Sequence, residues 1–163
     1  MPSRSSAIEA AGVTNAVVGA PSEGGNSGAA YVFLRSGGAW ASQAYLKAPA
    51  PDTTFPTQFG SAVAVSGDTI VVGAPNQGPG GAAYVFVRSG TNWSQQAYLK
   101  PAAIGTTQAG DRFGRDVAID GNTLIVGARL EASNSTGVNS VPNESPAQAG
   151  AAYVFVRNAG VWS

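Results

Sequence analysis

Gly67-Asp68-Thr69-Ile70-Val71-Val72-Gly73-Ala74-Pro75, followed by a Gly-rich link and Gly81-Ala82-Ala83-Tyr84-Val85-Phe86-Val87-Arg88, is the stretch whose reading decides the fold. Its core recurs on both sides: Val17-Val18-Gly19-Ala20-Pro21, Val71-Val72-Gly73-Ala74-Pro75 and Ile125-Val126-Gly127-Ala128-Arg129 stand 54 residues apart each time. A fixed period of this length marks a repeat architecture, in which each copy must bury an apolar face against its neighbours.

Within the central copy, four short strands follow from composition and punctuation. Ser61 to Val65 alternates small and branched residues, as a closely packed inner strand does. Ser66-Gly67-Asp68, and Asp120-Gly121-Asn122 one period later, turn the chain. Thr69 to Gly73 is a continuous apolar run, which implies burial on both faces. Ala82 to Arg88 sets Tyr84, Phe86 and Arg88 on one side and Ala83, Val85 and Val87 on the other. After a turn at Ser89-Gly90 come Trp93 and Gln96 to Lys100, mixed in polarity like an outer edge. The first copy repeats this with Ala29 to Arg35, Trp40 and Gln43 to Lys47, and the third with Ala151 to Arg157 and Trp162. The third copy is expected to lack its fourth strand. In the first copy, Ala7-Ile8-Glu9-Ala10-Ala11 is aligned with Ser61 to Val65, and the Phe-Gly pair found at Phe59-Gly60 and Phe113-Gly114 is missing.

No segment shows apolar residues at helical spacing with a cap, so the fold class is all-β. Four antiparallel strands in a period of this length describe a β-propeller blade. The chain reads as one partial propeller domain over residues 1–163, about three blades: blade 1 near 5–48, blade 2 near 59–101 and blade 3 near 113–163. Propellers of about four to eight blades are the rule, so the ring is expected to be completed by self-association, most simply two chains supplying six blades. The rival expectation is an excerpt of a longer propeller.

Composition excludes much chemistry. There is no Cys and no His, which removes thiol nucleophiles, histidine general bases, Ser-His-Asp triads and thiolate or imidazole metal sites. Nine basic and nine acidic residues cancel without a run of either sign, so neither a nucleic-acid groove nor an anionic-membrane surface is expected. With 44% hydrophobic and 11% charged residues, the chain has material for a core. It has no apolar span for membrane insertion, and because residues 1–12 do not read as a signal peptide, the expectation is that the chain is not exported by itself or that its export signal lies outside this sequence. Asp111 and Asp116 flank Phe113-Gly114 with Arg112 and Arg115 interleaved, which reads as a local ion-pair cluster rather than a general acid and base. No enzymatic activity and no cofactor are expected.

Phe59-Gly60 before the first strand, Gly73-Ala74-Pro75 closing the second and Tyr84-Val85-Phe86 in the third resemble the FG-GAP repeat of the integrin α-subunit propeller. The closer likeness is to bacterial FG-GAP proteins, whose blades read much like Ser89-Gly90-Thr91-Asn92-Trp93-Ser94-Gln95-Gln96-Ala97-Tyr98-Leu99-Lys100. The resemblance implies an extracellular or cell-surface setting and a role in adhesion. It also implies that links after second strands share a partner-binding face with links between blades, so that Arg129 to Gly150, Ala48 to Gln58 and Ala102 to Arg112 line one surface. Many integrin-type blades carry an Asp-x-Asp-x-Asp-Gly calcium loop; here the equivalent place holds only Ser66-Gly67-Asp68 or Asp120-Gly121-Asn122. That is too few oxygens for calcium, so the family's sites are not carried over.

Phe59 and Phe113 are expected to anchor the core between blades. Tyr31, Tyr84 and Tyr153, with Trp40, Trp93 and Trp162, are expected to pack there too, the alternative being sugar stacking. The irregular feature is the link from Arg129 to Gly150, about 15 residues longer than its counterparts, and long links in compact folds carry function or are excursions. Candidate ligand-binding residues are therefore Arg129, Glu131, Asn134, Asn139, Asn143 and Glu144, with Asp111 and Arg112 on the same face. The oxygens of the long link could gather a cation, but two carboxylates are few for it. Two functions remain: a non-enzymatic module binding protein or glycan through the loop face, or a structural, self-assembling subunit.

Overall fold

The computed structural model describes residues 6–8, 15–49, 56–101, 110–132, 137 and 148–163. They form three four-stranded antiparallel sheets, one per repeat. The first holds β1 (Ser6–Ile8), β2 (Asn15–Ala20), β3 (Ala29–Ser36) and β4 (Ala39–Leu46); the second holds β5 (Ala62–Ser66), β6 (Thr69–Ala74), β7 (Ala82–Ser89) and β8 (Asn92–Leu99); the third holds β9 (Phe113–Asp120), β10 (Thr123–Ala128), β11 (Ala151–Asn158) and β12 (Val161–Trp162). Glu23–Asn26 is assigned helical, but Gly24 and Gly25 at φ 58° and 70° make it a left-handed turn. In each sheet sequence order equals spatial order, because turns as short as Gly67-Asp68 allow only antiparallel neighbours. The inner strands β1, β5 and β9 pack side by side, whereas the outer strands do not meet to that extent. This is the arrangement of neighbouring propeller blades.

Two expectations are corrected by strand pairing. The third sheet does have a fourth strand, a two-residue stub in which Arg157 pairs with Trp162 and Asn158 with Val161. In the first sheet, Ala7 lies opposite Val17, as Ala64 lies opposite Val71. Ala7 is thus the counterpart of Ala64, not of Ser61; Ala7 and Val17 stand 10 positions apart where Ala64 and Val71 stand 7, so alignment by spacing slips.

The sheets stack through unlike faces. One face of the second sheet puts Ile70, Val72, Tyr84 and Phe86 against Val17, Val32 and Leu46 of the first, around the fully buried Phe59. The other puts Val71, Val85 and Leu99 against Leu124 and Val126 of the third, around Phe113. Both phenylalanines are inter-sheet anchors, as expected. Phe59 lies edge-on to Tyr84 and Phe86 (5.4 and 6.1 Å, 66° and 90°), and Phe113 repeats this with Tyr153 and Phe155 (5.3 and 6.2 Å, 67° and 83°). Burial follows from position in the stack: every residue of β6 is buried, whereas β2 and β10 alternate, each lacking one described neighbour.

Polar contacts repeat at the outer rim. Trp93 Nε1 donates to Gln43 Oε1 (2.9 Å) and Trp162 Nε1 to Gln96 Oε1 (2.8 Å), each reaching back to the preceding sheet. Arg88 and Arg157 cover these indoles at 5.6 and 5.0 Å and donate to Asn15 and Thr69, again one sheet back. Tyr84, Tyr153, Trp93 and Trp162 therefore do pack between sheets. Tyr31 and Trp40 do not: no described sheet lies against that side, and Trp40 is 46% exposed. Tyr31 instead stacks on Tyr45 at 5.1 Å, and both phenols donate to the Glu23 carboxylate.

Candidate functional site

The site is built where second strands end and the next repeat begins. β2, β6 and β10 each finish in Gly-Ala, and the following residues, Pro21, Pro75 and Arg129, emerge at one end of the stack. The chain enters each new sheet beside them through a tight turn. Gln58 takes φ 54° and Arg112 takes φ 63°. Ser61 N–H then donates to the Gln58 carbonyl (3.1 Å), as Arg115 N–H does to the Arg112 carbonyl (3.0 Å). The Ser61 hydroxyl adds a second bond to that carbonyl, 2.8 Å.

These termini enclose a cleft of about 440 Å³ that crosses all three sheets. The first sheet supplies Pro21 and Ser22, the second Pro75 and Asn76. The third supplies Arg112, Arg115 and Arg129. A neighbouring, more apolar hollow of about 490 Å³ shares Pro75, Asn76 and Arg112 and is closed by Pro56 and Pro79. Arg112 and Asn76 thus stand between the two.

The residues expected to bind a ligand divide into three groups. Arg112 and Arg129, 17 positions apart in sequence, are brought into the same cleft. Asp111 and Glu131 are buried, each 4% exposed, and their backbones close the base of the long link: Leu130 N–H donates to the Asp111 carbonyl and Gly150 N–H to the Glu131 carbonyl (3.0 and 3.1 Å). Neither lines the cleft. Asn134, Asn139, Asn143 and Glu144 lie outside the described residues.

Arg115, which the sequence places with Arg112, Asp111 and Asp116 in an ion-pair cluster rather than among the ligand contacts, also lines the cleft. Among the described residues no ion pair joins these four; the pairs present are Lys47–Glu23 and Arg88–Asp68. Alternation along β9 separates Arg115 from Asp116. The missed signal was positional: Gln58, Ser61 and Pro75 of the second repeat correspond to Arg112, Arg115 and Arg129 of the third.

The two described turns between first and second strands, at Gly67-Asp68 and Gly121-Asn122, where integrin-type blades hold calcium, are engaged otherwise. Arg88 Nε donates to Asp68 Oδ1 (2.7 Å) and Arg157 Nε to Asn122 Oδ1 (2.8 Å). The donor set does not fit calcium, which takes about six to eight oxygens. Among the described residues no group of three or more acidic, His or Cys side chains could hold a metal. Nor is any helix among them long and apolar enough to cross a membrane.

No curated protein matches the chain. The model of the FG-GAP repeat matches residues 40–86 and 93–155, more than half of it. Each matched unit begins near the fourth strand of one sheet, at Trp40 or Trp93, and ends in the third strand of the next, at Phe86 or Phe155. The repeat is thus offset by one strand from the sheet, and the Phe-Gly pair and Gly-Ala closure sit mid-unit, at the junction they build. With three sheets that repeat this junction and a match over both complete units, the chain belongs to the FG-GAP repeat family.

Proposed function

We propose that the chain is a non-enzymatic binding module of an extracellular or cell-surface FG-GAP propeller, which recognises protein or glycan through the face where the second strands end. The observation that carries this reading is the cleft across three sheets, walled by link residues rather than by strand interiors. Rigid sheets positioning variable links is how repeat folds present binding surfaces. The test is a protein and glycan array probed with the chain and with Ser61→Trp, which fills the cleft from a half-buried wall position. Capture lost in the variant supports the reading; capture retained moves recognition elsewhere, and no capture by either removes it.

A second reading, the self-assembling subunit, has its own observation. Ile125 and Val154 are 44 and 61% exposed on the third sheet, although their counterparts Val71 and Val85 are fully buried. The first sheet leaves Trp40 46% exposed, on the face through which its counterpart Trp93 in the second sheet packs against the first. Two copies stacked head to tail would bring these faces together and give six blades. Sedimentation equilibrium tests it: dimers lost on Val154→Glu support it, and a monomer at all concentrations defeats it.

A further inference from the structure

We infer that the Arg112, Arg115 and Arg129 cleft binds the oxyanion of an acidic glycan, a carboxylate or a sulfate; this rests on the binding-module reading above. In a chain with balanced charge, three of the nine basic residues meet in one cleft. They replace Gln58, Ser61 and Pro75, the neutral residues at the same three places of the preceding repeat. The fold therefore does not require them: the second repeat closes the same turn with Gln58 and Ser61.

Among the described residues none of the three guanidiniums is ion-paired. Arg112 and Arg115 are half-buried and Arg129 exposed, and the acidic neighbours Asp111 and Glu131 are turned into the fold. Like charges lining one cleft repel, and an anion relieves that while taking the planar, multidentate hydrogen bonds that guanidinium offers carboxylates and sulfates. A sugar carrying the anion suits the other walls. Asn76 adds an amide to the wall. Ser22 and Gln58 add polar groups, and the rings of Pro21 and Pro75 add apolar surface for the C–H face of a pyranose. Three charges at one point, with no basic track leading away, do not suit a nucleic-acid strand.

Calorimetric titration with oligogalacturonate (carboxylates only), sulfated dextran oligomers (sulfates only), uncharged dextran and a single-stranded oligonucleotide tests this. One or both acidic glycans should bind at least tenfold more tightly than the other probes, and their relative affinities name the anion. The affinity should fall with added salt, because part of the attraction is screened. The triple variant Arg112→Gln, Arg115→Ser, Arg129→Pro, which restores the second repeat's residues, should lose the acidic glycan by at least 30-fold with an unchanged melting temperature. Salt-independent affinity in the unaltered chain, equal binding of uncharged dextran, tighter binding of the oligonucleotide, or an unaffected triple variant would each overturn the assignment. If Ser61→Trp still abolishes array capture in those cases, the binding-module reading survives and only the anion falls. If neither array nor titration shows binding, both fall.

Discussion

Gly73 lies in contact with the carbonyl of Gly114 in the next sheet: a Cβ on Gly73 would stand 1.9 Å from that oxygen. Gly19 and Gly60 repeat the relationship one sheet earlier, at 2.0 Å. Two of the family's signature glycines, one from Gly-Ala-Pro and one from Phe-Gly, are thus the two halves of a single backbone contact. Gly73→Ala should destabilise by about 3 kcal/mol, since neither side is a side chain that can rotate away. Gly127, the same position in the third sheet, meets only Asp116 Cβ at 3.4 Å, so Gly127→Ala should stay within about 0.5 kcal/mol of the parent. Urea denaturation of both variants measures the contrast; equal effects would mean that the inter-sheet contact is not the constraint.

The two phenylalanine anchors are fully buried in equivalent settings. Phe59→Ala and Phe113→Ala should each cost about 3–5 kcal/mol in equilibrium unfolding, and Phe→Leu substantially less. A much smaller loss for Phe113→Ala would show that the third sheet is loosely attached.

Rim contacts are weaker but specific. Gln96 Oε1 accepts from Trp162 Nε1 at 2.8 Å and from Arg157 Nη1 at 3.4 Å. Gln43 accepts from Trp93 alone among the contacts described. Removing either acceptor should cost about 1–2 kcal/mol, with Gln96→Ala the larger because Trp162 Nε1 loses its acceptor and Arg157 Nη1, which keeps Thr69, loses a second one. Single-tryptophan fluorescence should shift for Trp162 in that variant and leave Trp93 unchanged.

Tyrosine ionisation gives a pH signature. The hydrogen bond to Glu23, then desolvation, pushes Tyr31 up to about 12. Burial raises Tyr84, and the bond to Glu23 raises Tyr45. Because the folded state favours the protonated phenol, the stabilisation from Tyr31 is complete below its ordinary value of 10.0 and disappears as the pH rises towards 12. Glu23 runs the other way: Tyr31 and Tyr45 hold its carboxyl below 4.5, so its contribution is present above that value and fades as the pH falls through the lowered one. Tyrosinate absorbance should show Tyr31 titrating late and Glu23→Ala returning it towards 10.0, with Tyr84 still late.

Much of the architecture was present in the sequence because the repeat states each junction more than once. Thr69 to Gly73 declared burial on both faces, and the side-to-side division of Tyr84 and Phe86 from Ala83 and Val85 is the division between the two cores. Where a copy departs from the pattern the inference weakened: the third sheet's fourth strand went unseen because it is two residues long.

What the sequence determined by itself was the all-β blade, its strand order and the anchors between sheets, since periodicity and turn residues act over a few neighbours. What only the tertiary structure decided was which side chains meet. Arg112, Arg115 and Arg129 line one cleft, while Asp111 and Glu131, within two positions of them in the chain, are buried. Consecutive residues point to opposite sides of a strand or turn, so nearness in sequence does not predict nearness in a cleft. Both charge pairing and the composition of the cleft are set by how one sheet leans on the next.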